Sequence, residues 1–128
     1  MKVSVIIPVY NVEPYVAECL ESVQRQTLRD IEILCINDAS TDGSFEIVRK
    51  LAAEDQRIQC YENSRNLGLA STRNCGLELA RGQYVYFLDS DDMIRPETLA
   101  QLYRKAVEDE LDAVVFSSRF IYESEELK

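Results

Sequence analysis

The sequence predicts an α/β fold with an open, mostly parallel sheet and helices on both of its faces. Short apolar runs of strand length alternate along the chain with segments whose apolar residues recur at helical spacing. This alternation is typical of parallel strands joined by right-handed helical crossovers. The 128 residues suit a single domain with a sizeable core, and the 46% share of apolar residues is ordinary for a globular protein.

The predicted strands are nearly continuous apolar runs, as expected for strands that helices cover on both faces. In order along the chain they comprise residues 3–9, 31–36, 58–61, 84–88 and 113–121. Polar residues follow each of the first four strands directly, and this change in composition marks the carboxyl ends of those strands.

Each of the four predicted helices has an apolar stripe that would pack on the sheet. The stripes are Tyr15, Val16, Cys19, Leu20 and Val23 in the first helix; Phe45, Val48, Leu51 and Ala52 in the second; Leu69, Ala70, Arg73, Leu77 and Ala80 in the third; and Leu99, Leu102, Tyr103, Ala106 and Val107 in the fourth. Pro14 and Pro96 suit the first turns of the first and fourth helices. The third helix is expected to run to about Arg81, with Gly82 as its carboxyl-terminal cap.

The composition excludes several classes of function. With 23 acidic against 14 basic residues and a net charge of −9, the chain is unsuited to nucleic acid as its main partner. The absence of histidine rules out a Ser-His-Asp triad, a Cys-His pair and a histidine-ligated zinc within this sequence. The four cysteines form no C-x-x-C motif, which indicates a reducing compartment. No apolar run approaches the ~18 residues of a membrane span, and none has the form of a signal peptide, so we expect a cytoplasmic protein.

Polar residues concentrate where the predicted strands end. They form the segments 8–11, 37–42, 63–68 and 89–92. In an open parallel sheet the carboxyl ends of the strands share one edge, and ligands bind beyond that edge. The four segments are therefore expected to meet along one rim. The alternative is that these loops are polar only because they must cap helices.

The acidic loop after the fourth strand predicts a metal site. Asp89, Asp91 and Asp92 bring three carboxylates within four residues. Two like charges ~5 Å apart repel by about 3 kcal/mol at an effective dielectric constant of about 20. A hard divalent cation removes this repulsion, and ligation by oxygen alone suits Mg²⁺ or Mn²⁺. The alternative is a solvated acidic loop that caps the helix near Pro96, with Arg95 as its ion-pair partner.

The charge balance also favours a metal as the means of holding phosphates. Neither G-x-G-x-x-G nor G-x-x-x-x-G-K-[ST] occurs, so a bridging cation is the simplest way for this acidic chain to bind a diphosphate. Arg73, on the predicted inner stripe, could neutralise a phosphate, pair with a carboxylate at the rim, or extend past the core to water. Gly76 would let the same helix approach the sheet closely, unless it is merely tolerated there.

Further candidates for ligand contact follow the first two strands. Asp38 could accept hydrogen bonds from a nucleobase or a ribose, or it could serve as a turn or cap residue in the loop to Ser44. Tyr10 and Asn11 could stack on a base and hydrogen-bond to it, whereas Tyr10 could instead belong to the edge of the core.

Four sequence blocks resemble those of the family-2 glycosyltransferases, whose fold is the Rossmann-like GT-A fold. The blocks are Pro8-Val9-Tyr10-Asn11, Asn37-Asp38-Ala39-Ser40-Thr41-Asp42, Asn66-Leu67-Gly68 with Arg73-Asn74-Cys75-Gly76, and Phe87-Leu88-Asp89-Ser90-Asp91-Asp92. A single D-x-D is a weak signal, but four blocks in the family's order and spacing, over residues 1 to about 107, are a specific one. The resemblance implies a nucleotide-sugar donor, usually a UDP sugar, and a divalent metal, Mn²⁺ or Mg²⁺.

The resemblance also implies roles for the matching residues. The positions that match donor-binding residues are Pro8, Tyr10, Asn11, Asp38, Asn66, Arg73 and Asp89. The first three match the segment that lines the nucleoside pocket, and Asp38 matches the aspartate that contacts the base. Asp89 matches the first D-x-D residue, toward the ribose and the metal, and Asp91 matches the metal ligand. Asp92 matches a commonly acidic position without an assigned role.

The family's reaction is an inverting transfer in which an Asp or Glu removes the proton of an acceptor hydroxyl. In the family, that base and the acceptor pocket lie in a later half of the fold. We therefore expect residues 1–128 to be the nucleotide-sugar-binding half, truncated before the acceptor-binding half, and to bind donor without transferring sugar. The acceptor would be a glycan or a lipid-linked sugar in polysaccharide or cell-surface glycan synthesis. The full-length enzyme could then lie at the inner face of the membrane.

Other classes of function stay open at this point. A non-catalytic nucleotide-binding or assembly module would have the same pocket, and the full-length sequence would then lack a general base. A phosphotransferase of the haloacid dehalogenase type also uses D-x-D, but it needs an aspartate pair after the first strand and a Thr or Val where Met93 stands. A receiver domain likewise needs an acidic pair after the first strand.

Overall fold

The computed structural model describes residues 1–112, and within them strands and helices alternate as the sequence predicts. The predicted fifth strand, residues 113–121, lies outside the described residues. The elements are β1 (Val3–Val9), α1 (Val16–Gln24), β2 (Ile31–Asn37), α2 (Ser44–Glu54), β3 (Ile58–Glu62), α3 (Leu69–Leu79), β4 (Tyr84–Phe87) and α4 (Thr98–Glu108).

The four strands form one parallel sheet in the order β3-β2-β1-β4. Val9 of β1 pairs with Asn37 of β2, and Ile6 of β1 pairs with Phe87 of β4. The carboxyl ends of all four strands therefore lie at the same edge of the sheet. Every residue of β1 and β2 is buried, which explains why these two strands are the most continuous apolar runs in the sequence.

Helices cover both faces of the sheet, so the predicted α/β fold class is confirmed. The larger core contains Val5 and Ile7 of β1 and the buried side of α1, together with Val48 of α2 and Leu99 of α4. The opposite face is covered by α3, where a smaller cluster is built on Ile6, Leu34 and Ile36. Successive residues of β1 alternate between the two clusters because side chains alternate across a strand.

Helix α3 packs through small residues, and its predicted apolar stripe is wrong. Leu69 and Leu77 are 51% and 45% exposed, whereas Thr72 and Gly76 are buried. A Cβ at position 76 would lie 2.4 Å from Cγ2 of Ile6, so the helix approaches the sheet more closely than any larger residue would allow. The prediction that Gly76 lets this helix approach the sheet closely is therefore confirmed, and Gly76 is not merely tolerated.

Gly82 does not cap α3, which ends at Leu79. The Gly82 N–H donates to Oγ of Ser4 over 2.8 Å, and a Cβ at position 82 would lie 2.6 Å from the Ser4 nitrogen. The absence of a side chain at Gly82 therefore allows this segment to lie against β1. Strand β4 is also less buried than predicted: Val85 and Phe87, which share one face, are exposed, and within residues 1–112 helix α3 packs on β1 and β2 on that side of the sheet.

The ends of the other helices differ from the prediction in small ways. Pro14 and Pro96 each lie two residues before the helix that follows, in the turns that precede α1 and α4. Tyr15 and Val107, at the edges of the predicted stripes, are exposed. Within residues 1–112, no helix combines the length and the apolar character needed to cross a bilayer.

Candidate functional site

The polar loops meet at the carboxyl edge of the sheet, as predicted, and enclose a cavity of about 420 Å³. Its lining residues are Pro8, Tyr10, Val12, Asp38, Asn66, Gly68, Leu69, Thr72, Asp89, Ser90 and Asp91. The structure thus brings six of the predicted site residues around one cavity: Pro8, Tyr10, Asp38, Asn66, Asp89 and Asp91. Asn11 and Arg73 do not line it, and each makes a different contact nearby.

Asp38 is buried at the end of β2, where it organises the loop that leads into α3. Its Oδ1 accepts hydrogen bonds from the Leu67 N–H at 2.8 Å and the Asn63 Nδ2 at 3.0 Å, and its Oδ2 accepts one from the Gly68 N–H at 3.0 Å. Burial raises the pKa of Asp38, but these hydrogen bonds outweigh burial, so the pKa lies below its ordinary value. The carboxylate is therefore charged at neutral pH, and Asp38 is one of the residues that line the cavity.

The turn role considered for Asp38 in the loop to Ser44 belongs instead to Asp42. Oδ1 of Asp42 accepts hydrogen bonds from both the backbone N–H and the hydroxyl of Ser44, at the start of α2. Asp38 makes its contacts with residues 25 to 30 positions later in the sequence, and that pairing is invisible in the local pattern.

Asn11 joins the loops after β1 and β2. Its Oδ1 accepts a hydrogen bond from the Thr41 N–H at 2.8 Å, and its own N–H donates to Oγ of Ser40 at 3.1 Å. Asn11 and Ala39 both adopt left-handed backbone conformations, with φ of 49° and 60°. The side-chain oxygen of Asn11 is thus engaged within the protein. Its predicted contact with a base stays a prediction.

The three acidic side chains after β4 lie close together. One carboxylate oxygen from each of Asp89, Asp91 and Asp92 lies within 4.8 Å of the others, and all three residues are exposed. A turn closed by the hydrogen bond from the Asp92 N–H to the Asp89 carbonyl, 3.0 Å long, brings them together. Partial burial raises the pKa of Asp92, and the charges of Asp91 and Asp89 raise it further.

This arrangement fits a hard divalent cation. All the donor atoms are carboxylate oxygens, which Mg²⁺ and Mn²⁺ prefer. A cation would also relieve the repulsion from Asp91 and Asp89 that, after partial burial, raises the pKa of Asp92. The alternative partner, Arg95, takes no part in the ion pairs found within residues 1–112.

Arg73 pairs with the acidic loop rather than extending past the core to water. Its NH2 lies 2.9 Å from Oδ1 of Asp89, and the two side chains are 37% and 50% exposed. Its Nε is buried and has no hydrogen-bond partner among the described residues. Arg73 thus places positive charge beside the cavity, although it sits on a half-buried side of α3 and not on a core stripe.

Several residues of the site escaped sequence reasoning. Asn63 bridges Asp38 and the Thr72 hydroxyl, at 3.0 and 3.2 Å, and so links the β3–α3 loop to α3. Val12 and Leu69 add apolar walls to the cavity. The position of Asn63 directly after β3 was the available signal, whereas the wall residues carry no chemistry that a sequence pattern could reveal.

The thiol of Cys19 lies beneath the acidic loop and donates to the Asp89 carbonyl over 3.6 Å. Burial raises the pKa of Cys19 to about 12, with smaller contributions from the neighbouring acidic charges. All four cysteines fall within the described residues, and all four are free thiols.

Comparison with known proteins identifies the family. The family model described as Glycosyl transferase family 2 matches residues 4–128. Glycosyltransferase GlyA of Streptococcus pneumoniae is 45% identical over 124 residues, which cover 97% of this chain and 18% of GlyA. The crystal structure of S. aureus TarS 1–349 in complex with UDP-GlcNAc has a TM-score of 0.81 at 30% identity, and the match covers 92% of this chain and 37% of that one.

A second solved structure is the mannosyltransferase PcManGT from Pyrobaculum calidifontis in complex with GDP-Man and Mn²⁺. It has a TM-score of 0.77 at 31% identity, and the match covers 82% of this chain and 32% of that one. The chain thus spans less than two fifths of the length of each of these three proteins. Because the family model covers nearly the whole sequence, this chain belongs to glycosyltransferase family 2.

Proposed function

We propose that this chain forms the donor-binding part of a metal-dependent glycosyltransferase that moves a sugar from a nucleotide diphosphate, in the first instance UDP, to an acceptor hydroxyl. The observation that carries this proposal is the meeting of three carboxylates with a cavity of about 420 Å³ at the carboxyl edge of a parallel sheet. The nucleotide sugars in the TarS and PcManGT complexes support the same class of ligand here.

The nucleoside would occupy the side of the cavity formed by the ends of β1 and β2. Tyr10 is half exposed there, so its ring offers a face on which a base can stack. Asp38 lines the cavity with a charged carboxylate that can accept from the base, and Pro8 and Asn66 complete this side. The hydrogen bonds of Asn11 across to Ser40 and Thr41 keep these two loops in register.

The diphosphate would lie toward the acidic loop. Asp91 and Asp89 would hold the divalent cation. A bound Mn²⁺ or Mg²⁺ supplies positive charge that balances the nucleotide diphosphate as it leaves. Arg73, with its unpartnered Nε, adds a second positive charge on the same side of the cavity.

The remaining steps of the reaction need groups that we assign to no residue of this chain. An inverting displacement requires a general base at the acceptor hydroxyl. We propose that residues 1–128 supply donor binding and not that base, and that the acceptor is a glycan or a lipid-linked sugar reached at the inner face of the membrane.

Calorimetry with UDP tests the proposal. We expect MnCl₂ to raise the affinity of the chain for UDP by about tenfold or more, which corresponds to about 1.4 kcal/mol or more. Asp91→Asn should remove that metal dependence, because it replaces a charged ligand by a neutral amide. Asp30→Asn is the matched control, since Asp30 is an exposed carboxylate at the opposite edge of the sheet.

The control should bind UDP with the same metal dependence as the unchanged chain. Equal affinity with and without MnCl₂ in all three proteins would overturn the metal assignment. UDP binding that is absent under every condition would overturn the donor site as a whole.

A further inference from the structure

The acidic loop is held between two fixed points. On its amino-terminal side, the Leu88 N–H donates to the Ile6 carbonyl at 3.0 Å, so the backbone stays attached to β1 as far as residue 88. On its carboxyl-terminal side, the segment 94–99 is attached to the end of α1. Only residues 89–93 lie between these attachments, and they include all three acidic residues.

The attachment on the α1 side consists of side chains that face the larger core. Oγ of Ser22 accepts a hydrogen bond from the Ile94 N–H at 3.2 Å and donates one to the Cys19 carbonyl at 2.7 Å. Cys19, one turn earlier, donates its thiol to the Asp89 carbonyl. The contacts of Cys19 and Ser22 therefore bracket the acidic loop at residues 89 and 94.

Gln26 also belongs to this attachment, and both the nitrogen and the oxygen of its side-chain amide make hydrogen bonds. Its Nε2 donates to the Arg95 carbonyl at 2.6 Å and to the Ser22 carbonyl at 3.0 Å, and its Oε1 accepts from the Leu99 N–H at 3.0 Å. Leu99 is the second residue of α4, where backbone N–H groups have no partner within the helix. A fully buried glutamine is costly unless its polar atoms are satisfied, and here both of them are.

We propose that Ser22 and Gln26 are positioning residues that hold the Asp89–Asp92 loop in the conformation that binds a divalent cation. This inference rests on the proposed function of that loop. Three carboxylates repel one another and would separate in an unconstrained loop. With the backbone fixed by β1 at Leu88 and by Ser22 and Gln26 from residue 94 onward, the carboxylate oxygens stay together before the cation arrives. Cation binding then does not have to order the loop.

Binding of MnCl₂ alone to the 128-residue chain, measured by calorimetry, tests this inference. We expect Ser22→Ala to weaken Mn²⁺ binding by about tenfold, and Gln26→Met to weaken it by at least as much. Losses of this size are typical when a residue that orients metal ligands is replaced. Unfolding of each variant in urea provides the stability measurement, and Mn²⁺ affinity is compared only for variants that are folded at the temperature used.

Ser4→Ala is the matched control. Ser4 is also buried and also makes two hydrogen bonds, as a donor to Glu32 and as an acceptor from Gly82, but it lies toward the amino edge of the sheet. Ser4→Ala should lower stability about as much as Ser22→Ala and leave the Mn²⁺ affinity unchanged. If Gln26→Met does not fold, the smaller change in Ser22→Ala decides the outcome.

Two results would overturn the inference alone: Mn²⁺ affinity in Ser22→Ala equal to that of the unchanged chain, or an equal loss of affinity in Ser4→Ala. A folded, unchanged chain that binds no Mn²⁺ would overturn the inference together with the proposed metal site. The two kinds of failure are therefore distinguishable.

Discussion

Asp38 shows how a single carboxylate can fix a loop and also line the cavity beside that loop. Its oxygens accept hydrogen bonds from two consecutive backbone N–H groups, Leu67 and Gly68, just before α3 begins. Gly68 has a φ of 92°, a conformation that glycine adopts without strain. The carboxylate thus fixes the segment that leads into α3, and Asn66 and Gly68 of that segment line the cavity.

Replacing Asp38 by asparagine should destabilise the fold. The amide has one acceptor oxygen where the carboxylate has two, so at least one part-buried N–H of residues 67–68 loses its partner, at a cost of about 1–3 kcal/mol. Urea denaturation of Asp38→Asn measures the change, with Asp109→Asn, an exposed carboxylate directly after α4, as the control. A free energy of unfolding within about 0.5 kcal/mol of the unchanged chain would contradict this role.

At single positions, the sequence reveals clusters of neighbouring residues but not contacts between residues that are far apart in the chain. The clustering of Asp89 and Asp91 could be predicted because three acidic residues directly follow an apolar strand, all within four positions of the sequence. The actual partners of Asn11 lie about 30 residues away in the chain, and that of Arg73 lies 16 away. Only the folded sheet brings such pairs together, so their contacts could not be deduced from spacing.

Helix α3 was the element whose pattern was most misleading. The prediction assumed that large apolar side chains mark the buried face, yet the helix turns Thr72 and Gly76 toward the sheet. Close approach through a glycine brings the helix backbone near Ile6, and this packing replaces the burial of Leu69 and Leu77. A prediction from amphipathicity assumes that the largest apolar side chains are buried. It is therefore wrong for a helix whose backbone lies close to the sheet.

The connection between α2 and β3 is fixed by an ion pair that makes stability depend on pH. Arg57 contacts both carboxylate oxygens of Asp55, at 3.1 and 2.9 Å, and also donates to the Gln24 carbonyl at the end of α1. The hydrogen bonds from the Arg57 side chain lower the pKa of Asp55 from 3.8 to about 2, against the opposing effect of burial. Both side chains are mostly buried, so solvent screens the pair only partly.

Because the folded-state pKa of Asp55 lies below its unfolded value, the ion pair stabilises the fold fully above about pH 4 and is lost as the pH falls toward 2. The shift corresponds to about 2 kcal/mol. Asp55→Asn should therefore lower stability at pH 7 by about that amount and flatten the decline between pH 4 and pH 2. Urea denaturation across this range is the measurement, and Glu54→Gln, a neighbouring exposed carboxylate, is the control. An unchanged acid decline in Asp55→Asn would show that other groups cause it.

At the scale of the whole molecule, parallel topology explains why chemistry gathers at one edge. Each strand ends at that edge before a polar loop, so residues that are far apart in the sequence share one cavity. The alternation of apolar runs was sufficient to predict this arrangement. The strand order was not predicted, since it depends on pairing between distant segments. The exposed face of β4 was not predicted either, because an apolar run does not show which strands a helix will cover.

The proposed function depends most on a divalent cation, which the Asp89, Asp91 and Asp92 carboxylates would hold beside a nucleotide diphosphate. A crystal of the chain grown with MnCl₂ and UDP, measured for anomalous scattering at the manganese edge, tests the claim most directly. We expect an anomalous peak within bonding distance of a carboxylate oxygen of Asp91 and of the pyrophosphate of UDP. UDP well ordered in the cavity, with water alone among the three carboxylates, would contradict it.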